Sequence, residues 1–218
     1  MQTIKLDDTT DLDALSERLA QTLDQGGLVC LPCGGTYRIL ADLSNTDAVL
    51  GLMQSKRRTK KTPALVFIDD RARLAELARE VPSRARALAE ALWPKPLTIR
   101  IKLSDAYPRK VIKELGGKKA KVGVRVPADA LARKTVATLG RPLLVSSANR
   151  QKKAGEGSLA QVRQTFHTRV DILVDAGDLK KPGSSTVIDI VDGALSIERP
   201  GLVSAAELDG VLAQTGAA

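Results

Sequence analysis

Short apolar runs recur along this chain between helical segments, and most end at a glycine, a proline or a polar turn. That interleaving limits the fold more than any other feature. Leu28 to Leu31 runs into Pro32, Ala64 to Ile68 follows Pro63, and Pro142 leads a strand to Ser146. After Pro94-Lys95-Pro96, Leu97 to Leu103 alternates Ile99 and Ile101 with Arg100 and Lys102, the two-residue period of a strand with one buried face. Tyr37 to Ala41, Val122 to Pro127, Ile172 to Val174, Thr186 to Ile190 and Leu195 to Ile197 complete the predicted strands. Between them, Asp11 to Leu23 carries Leu12, Leu15, Leu19 and Leu23 at helical spacing and stops at Gln25-Gly26-Gly27. Further helices are predicted from Asn45 or Thr46 to Ser55, Arg71 to Arg79, Pro82 to Leu92, Pro108 to Leu115, Ala130 to Leu139 (closed by Gly140), Leu159 to Phe166, and about 204–213. Strands and helices interleave without strict alternation, so the expected class is α/β: an open, mixed β-sheet with flanking helices. In such sheets ligands settle in loops beyond the strand ends. No tandem repeat, long linker or low-complexity block interrupts the pattern, so residues 1–218 are expected to form a single domain.

Composition narrows the function. Aromatic residues are 2% of the chain against 43% hydrophobic residues, so the core must be aliphatic. The same scarcity argues against stacking platforms for single-stranded nucleic acid. A formal net charge of +9 favours anionic ligands, nucleotides and nucleic acid among them. The single histidine, His167, excludes a multi-histidine metal site, and its polar, helix-like surroundings (Gln161 to Arg169) speak against a catalytic triad. Cys30 and Cys33 make one C-x-x-C. Cys30 falls inside a strand rather than at a helix start, and no second pair exists for zinc. Cys30 therefore reads as core and Cys33 as pocket lining. No apolar run reaches the roughly 18 residues of a membrane span, and the N-terminus lacks a signal-peptide core; the expected location is cytoplasmic, without membrane contact.

Several polar groups cluster at predicted strand and helix ends. Lys56-Arg57-Arg58 with Lys60-Lys61 is more cation than a helix terminus needs and suits phosphate oxygens. No P-loop and no G-x-G-x-x-G occurs, so a phosphate site here is of another kind. Ser146-Ser147-Ala148-Asn149 follows an apolar strand, and Arg125 interrupts another. Gly183-Ser184-Ser185-Thr186-Val187 lies upstream of Arg199-Pro200-Gly201, and Gly34-Gly35 lets backbone approach a ligand. Each of these alone is an ordinary cap or turn. Together they point to one pocket for an anionic ligand, a nucleotide being the best match.

In order and spacing these stretches resemble the YrdC-like family over about residues 26–201. The family's P-T-[DE]-T-x-Y-G resembles Pro32-Cys33-Gly34-Gly35-Thr36-Tyr37-Arg38, and its K-x-R matches Lys56-Arg57-Arg58. Its P-G-P-x-T resembles Pro94-Lys95-Pro96-Leu97-Thr98, and its G-x-R-x-P matches Gly123-Val124-Arg125-Val126-Pro127. Its S-A-N, S-T-V and R-P-G match Ser147-Ala148-Asn149, Ser185-Thr186-Val187 and Arg199-Pro200-Gly201. The chain differs at Cys33, Gly34 and Gly35 (two threonines and an acid in the family), at Arg38 and Lys95 (glycines), and at Arg150-Gln151, where S-G is usual.

The resemblance implies an open, twisted mixed β-sheet with flanking helices and a concave basic cavity. It implies a threonylcarbamoyl-AMP synthase, a nucleotidyltransferase combining ATP, L-threonine and bicarbonate and releasing pyrophosphate, with the product feeding tRNA threonylcarbamoyladenosine modification. In that assignment Lys56 and Arg58 are catalytic and hold the triphosphate. Ser147 and Asn149 fix the nucleotide, and Arg125, Ser185 and Arg199 line the nucleotide cavity. Cys33, Gly35 and Tyr37 face the amino acid. ATP is the substrate, and Mg2+ is held by ATP oxygens with no protein side-chain ligand. YciO-like paralogues share the family, and their counterpart expectation is a protein that binds double-stranded RNA, tRNA or nucleotide without synthase activity.

Overall fold

The computed structural model describes residues 1–55, 64–116, 120–149, 157–180 and 183–216. They form ten strands and eight α-helices distributed over two compact units, Met1–Lys61 with Asp129–Pro182 and Thr62–Ala128 with Gly183–Ala218. The sequence leads one to expect a single domain; the chain passes from the first unit to the second and back before ending in the second.

In the first unit the strands are β1 (Gln2–Lys5), β2 (Val29–Cys33), β3 (Thr36–Asp42), β7 (Leu143–Ser147) and β8 (Ile172–Asp175). Their order is β1-β8-β2-β3-β7, parallel as far as β2 and antiparallel beyond it. Helices α1 (Leu12–Asp24) and α6 (Ala130–Leu139) pack on each other and on the sheet. Both start on an aspartate. Asp11 accepts the Asp13 and Ala14 amides, Asp129 accepts that of Ala132, and Gly140 closes α6 at φ 68°. Asn45, not Thr46, caps α2 (Thr46–Ser55), accepting from Asp47 and Ala48. Strand β1 was not foreseen. Its residues are mostly exposed, so no apolar alternation marks it, and its pairing with β8 is what defines it.

The strands of the second unit are β4 (Leu65–Phe67), β5 (Leu97–Lys102), β6 (Lys121–Arg125), β9 (Thr186–Val191) and β10 (Ala194–Arg199), in the order β4-β6-β5-β9-β10. Parallel and antiparallel neighbours alternate. Helices α4 (Ser83–Leu92), α5 (Arg109–Gly116) and α8 (Ala205–Thr215) accompany them. Where one helix was expected over Arg71 to Arg79, there is a 3-10 turn, Arg71–Arg73, and a single helical turn α3, Leu74–Leu77. Tertiary pairing overrides the periodicity here: Ala78 is extended, bridged to Leu103, and the Arg79 amide donates to Lys102 O.

The alternation read in β5 is borne out, and its polar face carries ions. Ile99 and Ile101 enter the core. On the other face, Arg100 pairs with Glu198 of β10, and Lys121 of β6 reaches Asp189 of β9 at 2.6 Å. Asp189 is 1% exposed, so Lys121 is the cation that makes a charge tolerable there. Breaking a buried pair strands the remaining charge, whereas replacing both partners does not. Lys121→Met is expected to lower unfolding free energy by about 3 kcal/mol, and Lys121→Met/Asp189→Leu to recover most of it. Urea denaturation of the three proteins checks this.

Candidate active site

The motif stretches fall into two groups, each bonded within its own unit. In the first unit, β2 and β3 form a hairpin closed by Gly34-Gly35, with Cys33 opposite Thr36. Both glycines have positive φ, 60° and 70°, as a two-residue turn with matching twist requires. This loop makes Cys33–Thr36 the hydrogen-bonded pair and Pro32–Tyr37 the non-bonded one. The missing N–H of Pro32 therefore faces away from β3, on the side where β8 pairs only with Val29 and Cys30. This is why β2 continues through Pro32 instead of ending at it.

Beside the hairpin, β7 runs antiparallel to β3 with Ser147 opposite Arg38. The Ala148 amide donates to Tyr37 O at 2.8 Å. Ser147 Oγ donates to Asn149 Oδ1 at 2.7 Å, and the Asn149 amide to Ser147 O at 2.9 Å. The hairpin and the Ser-Ala-Asn stretch thus share one end of neighbouring strands. Tyr37 is fully buried. Its phenol donates to Gly177 O at 2.7 Å and accepts the Ala176 amide at 3.0 Å. Asp175, just before this turn, accepts from Gly177 N and from Arg163. Of the three residues assigned to an amino-acid pocket, Tyr37 and Cys33 are buried and Gly35 is partly exposed. As placed, Tyr37 supports the 176–177 turn from beneath. Burial pushes its phenol above the ordinary tyrosine value; the Ala176 N–H opposes this and nearby Asp175 adds to it.

In the second unit, Arg125 ends β6 opposite Phe67 of β4, its guanidinium carbon 5.2 Å from the ring centroid. A Cβ on Gly123 would meet the Thr98 methyl at 2.6 Å. Thr98 Oγ1 donates to Ser185 Oγ at 3.3 Å. Arg199 donates from Nε and Nη2 to Ser185 O (3.2 and 2.8 Å) and from Nη2 to Ser185 Oγ (3.0 Å). Next to it, Thr186 Oγ1 donates to Val203 O at 2.6 Å. A Cβ at Gly201 would sit on the Ser184 carbonyl oxygen and 2.5 Å from Ser185 C and Thr186 N. Four motif stretches therefore interlock: Thr98, Gly123, Ser185-Thr186 and Arg199-Pro200-Gly201. Lys95, in place of a turn glycine, is exposed and pairs with Glu207 of α8 at 2.6 Å.

Lys56 and Arg58 lie outside the described residues. His167 is exposed just after α7 (Leu159–Phe166). Among the described residues no group of three or more His, Cys, Asp or Glu could hold a metal. Two residues escaped the sequence reading. Thr98 shares a strand face with Arg100 and Lys102, so the sequence marks it as polar surface; its burial and its hydroxyl bond to Ser185 come from tertiary packing. Phe67 had a signal in rarity, since the chain has two phenylalanines.

In this α/β scaffold small polar residues interlock within the second unit, with Arg125 and Arg199 at strand ends. The family described as telomere recombination, Sua5/YciO/YrdC, matches residues 21–201, and the chain belongs to that family. It is 30% identical over 190 residues to the threonylcarbamoyl-AMP synthase of Pyrococcus abyssi, covering 87% of this chain and 55% of that protein. The structure of P. abyssi Sua5 complexed with L-threonine superposes with a TM-score of 0.86 at 27% identity, over 97% of this chain and 61% of the other. Escherichia coli YciO shares the fold, with a TM-score of 0.77 at 21% identity over 92% of this chain and 95% of that one. The chain thus spans little more than half the length of the P. abyssi protein.

Two outcomes follow from the site's geometry. Gly201→Ala collides with backbone that cannot rotate away and should cost about 3 kcal/mol, read as a lower urea midpoint. Tyr37→Phe leaves the Ala176 amide without its acceptor and should cost about 1–3 kcal/mol. Because folding raises the Tyr37 pKa, its contribution is complete below about pH 10 and is lost as pH rises through the raised value. The alkaline fall in stability should therefore be shallower in Tyr37→Phe than in the parent protein, measured by denaturation between pH 8 and pH 11.

Proposed function

We propose that this protein makes threonylcarbamoyl-AMP from ATP, L-threonine and bicarbonate, releasing pyrophosphate. The observation that carries the reading is the match, along nearly the whole chain, to a Sua5 structure that holds L-threonine. The retained Ser147, Asn149, Arg125, Ser185 and Arg199 agree with it. In this reading the amine of threonine and bicarbonate give a carbamate and water, and a carbamate oxygen then attacks the α-phosphorus as the bond to pyrophosphate breaks. Such a transfer calls mainly for alignment and neutralisation of charge, so cations and fixed dipoles suffice and no acid–base histidine is needed. Lys56 and Arg58 take the triphosphate, Ser147 and Asn149 the nucleoside side, and the end of the Gly34-Gly35 hairpin the amino acid. In this reading magnesium enters with ATP, whose oxygens hold it. The product would serve tRNA modification in the cytoplasm.

A second reading draws on charge. Segments 56–61, 118–119, 150–153 and 181 hold eleven lysines and arginines and no acid, enough to account for the whole positive excess of the chain. Cations grouped this way along the sequence suit tRNA or double-stranded RNA, held beside synthase activity or as the main role of a YciO-like paralogue.

Pyrophosphate release from ATP should require both L-threonine and bicarbonate, and the Lys56→Ala/Arg58→Ala variant should lower it by about 100-fold or more. No release with any amino acid would sink the synthase reading. For the RNA reading, tRNA affinity should fall steeply between 50 and 200 mM salt as counterions are released; a flat salt response would rule it out.

A further inference from the structure

We propose that Thr98 is a positioning residue that turns Ser185 into an obligate hydrogen-bond donor, so that Ser185 and Arg199 together seat one anionic oxygen of the ligand. The inference deepens the synthase reading and rests on it only for the ligand's identity.

The reasoning begins with the hydroxyl's capacity. A serine hydroxyl has one proton and two acceptor lone pairs. Ser185 Oγ accepts from Thr98 Oγ1 at 3.3 Å and from Arg199 Nη2 at 3.0 Å. Both lone pairs are then engaged, and the proton is directed away from Thr98 and Arg199. A hydroxyl held in this way recognises acceptors and not donors. Arg199 is constrained to match. Its Nε and Nη2 lie along Ser185 O, so the guanidinium edge carrying Nη1 faces outward, and the residue is exposed. One neutral donor and one cationic edge, side by side, suit a carboxylate or phosphoryl oxygen.

Thr98 is built into this arrangement from below. It is 5% exposed on β5, and its methyl occupies the space left by the absent side chain of Gly123. Packing against Gly123 fixes the rotamer, and the rotamer aims the hydroxyl at Ser185. Thr98 itself is too deep to reach a ligand, so any effect it has on binding passes through Ser185.

Two substitutions separate hydrogen bonding from packing. Thr98→Val keeps the branched shape and removes the donor, whereas Thr98→Ser keeps the donor and removes the methyl. Binding of ATP, L-threonine and inorganic pyrophosphate is measured by titration calorimetry, which needs no turnover. At least one probe should bind the parent protein. That probe should bind Thr98→Val roughly tenfold more weakly and Thr98→Ser within about threefold of the parent. ATP and pyrophosphate responding together would mark the seat as phosphoryl, and L-threonine alone as carboxylate. Ser185→Ala should weaken binding at least as much as Thr98→Val, and adding Thr98→Val to it should change nothing further. Thr98→Ala repeats the cycle should Thr98→Val not fold. The proposal is overturned by parent-like binding in Thr98→Val, by Thr98→Ser as weak as Thr98→Val, by equal loss in the Ser185→Ala background, or by no probe binding the parent. Coupling without threonine-dependent pyrophosphate release leaves the seat standing and removes the synthase reading. Release without coupling does the reverse.

Discussion

The close approach of the Arg199-Pro200-Gly201 backbone to Ser184, Ser185 and Thr186 governs the polar cluster of the second unit. It exists only because residue 201 has no Cβ. Once those two stretches touch, their remaining bonds are determined. Arg199 falls across Ser185, Thr186 meets Val203, and the Leu202 amide reaches Ser184 O. Gly183 gives way to the Leu202 side chain for the same reason. The chain then enters α8 at Ser204, which caps it by accepting from Glu207 N. Polar side chains in this region are therefore fixed by backbone contact and not by their own rotamer preferences. That is the kind of preorganisation that transfer of a charged group rewards, since no donor has to reorient as charge develops.

The hairpin of the first unit reaches a comparable rigidity by different means. Gly34 and Gly35 supply the positive φ that an L side chain would resist, and the turn holds Cys33 and Thr36 in register. A sequence comparison makes this stretch look stripped, because hydroxyls usual in the family are absent. In the fold the same residues form a tight turn that any side chain would strain. Tyr37 then braces the Ala176-Gly177 turn through its phenol, and the neighbouring Asp175 ties that turn to Arg163 of α7. A ligand at the hairpin end would meet main-chain groups and a short list of flanking side chains. This is a different basis for selectivity from a row of hydroxyls.

Much of the architecture was legible because each element carries its own period or punctuation. The leucine stripe of α1, the stop at Gly140 and the alternation in β5 are local signals, and the structure follows them to within a residue or two. What could not be read depends on partners distant in sequence. Strand β1 exists through its pairing with β8, and the expected helix after Arg71 breaks because the residues flanking 78 bond to those flanking 103. Pro32 looked like a strand end until its ladder showed that no N–H was needed there. The candidate site divides in the same way. Ser147, Asn149, Arg125, Ser185 and Arg199 were recognisable as polar groups at strand ends. The burial of Tyr37 and the support from Thr98 were not, since a side chain's depth and the acceptor it meets are properties of packing. Lys56 and Arg58, the strongest cationic signal in the sequence, fall outside the described residues.

Under the proposed function, charge and hydrogen bonding would divide the labour of anion recognition in this chain. The acids and bases of the described residues nearly cancel, so the positive excess resides in segments 56–61, 118–119, 150–153 and 181. Lysine and arginine in quantity draw in anions of any kind, and their pull weakens as salt screens it. Ser185 and Arg199 on one unit and Ser147 and Asn149 on the other contribute few charges but fixed directions. Directional donors discriminate among anions that the cations attract alike, much as base contacts specify where phosphate contacts only position. A ligand that merely needs negative charge, such as an RNA backbone, gains chiefly from the first set. A ligand with oxygens at set positions gains from the second, and only that set requires the interlocked glycines, threonines and serines that most of this fold's motif residues turn out to be.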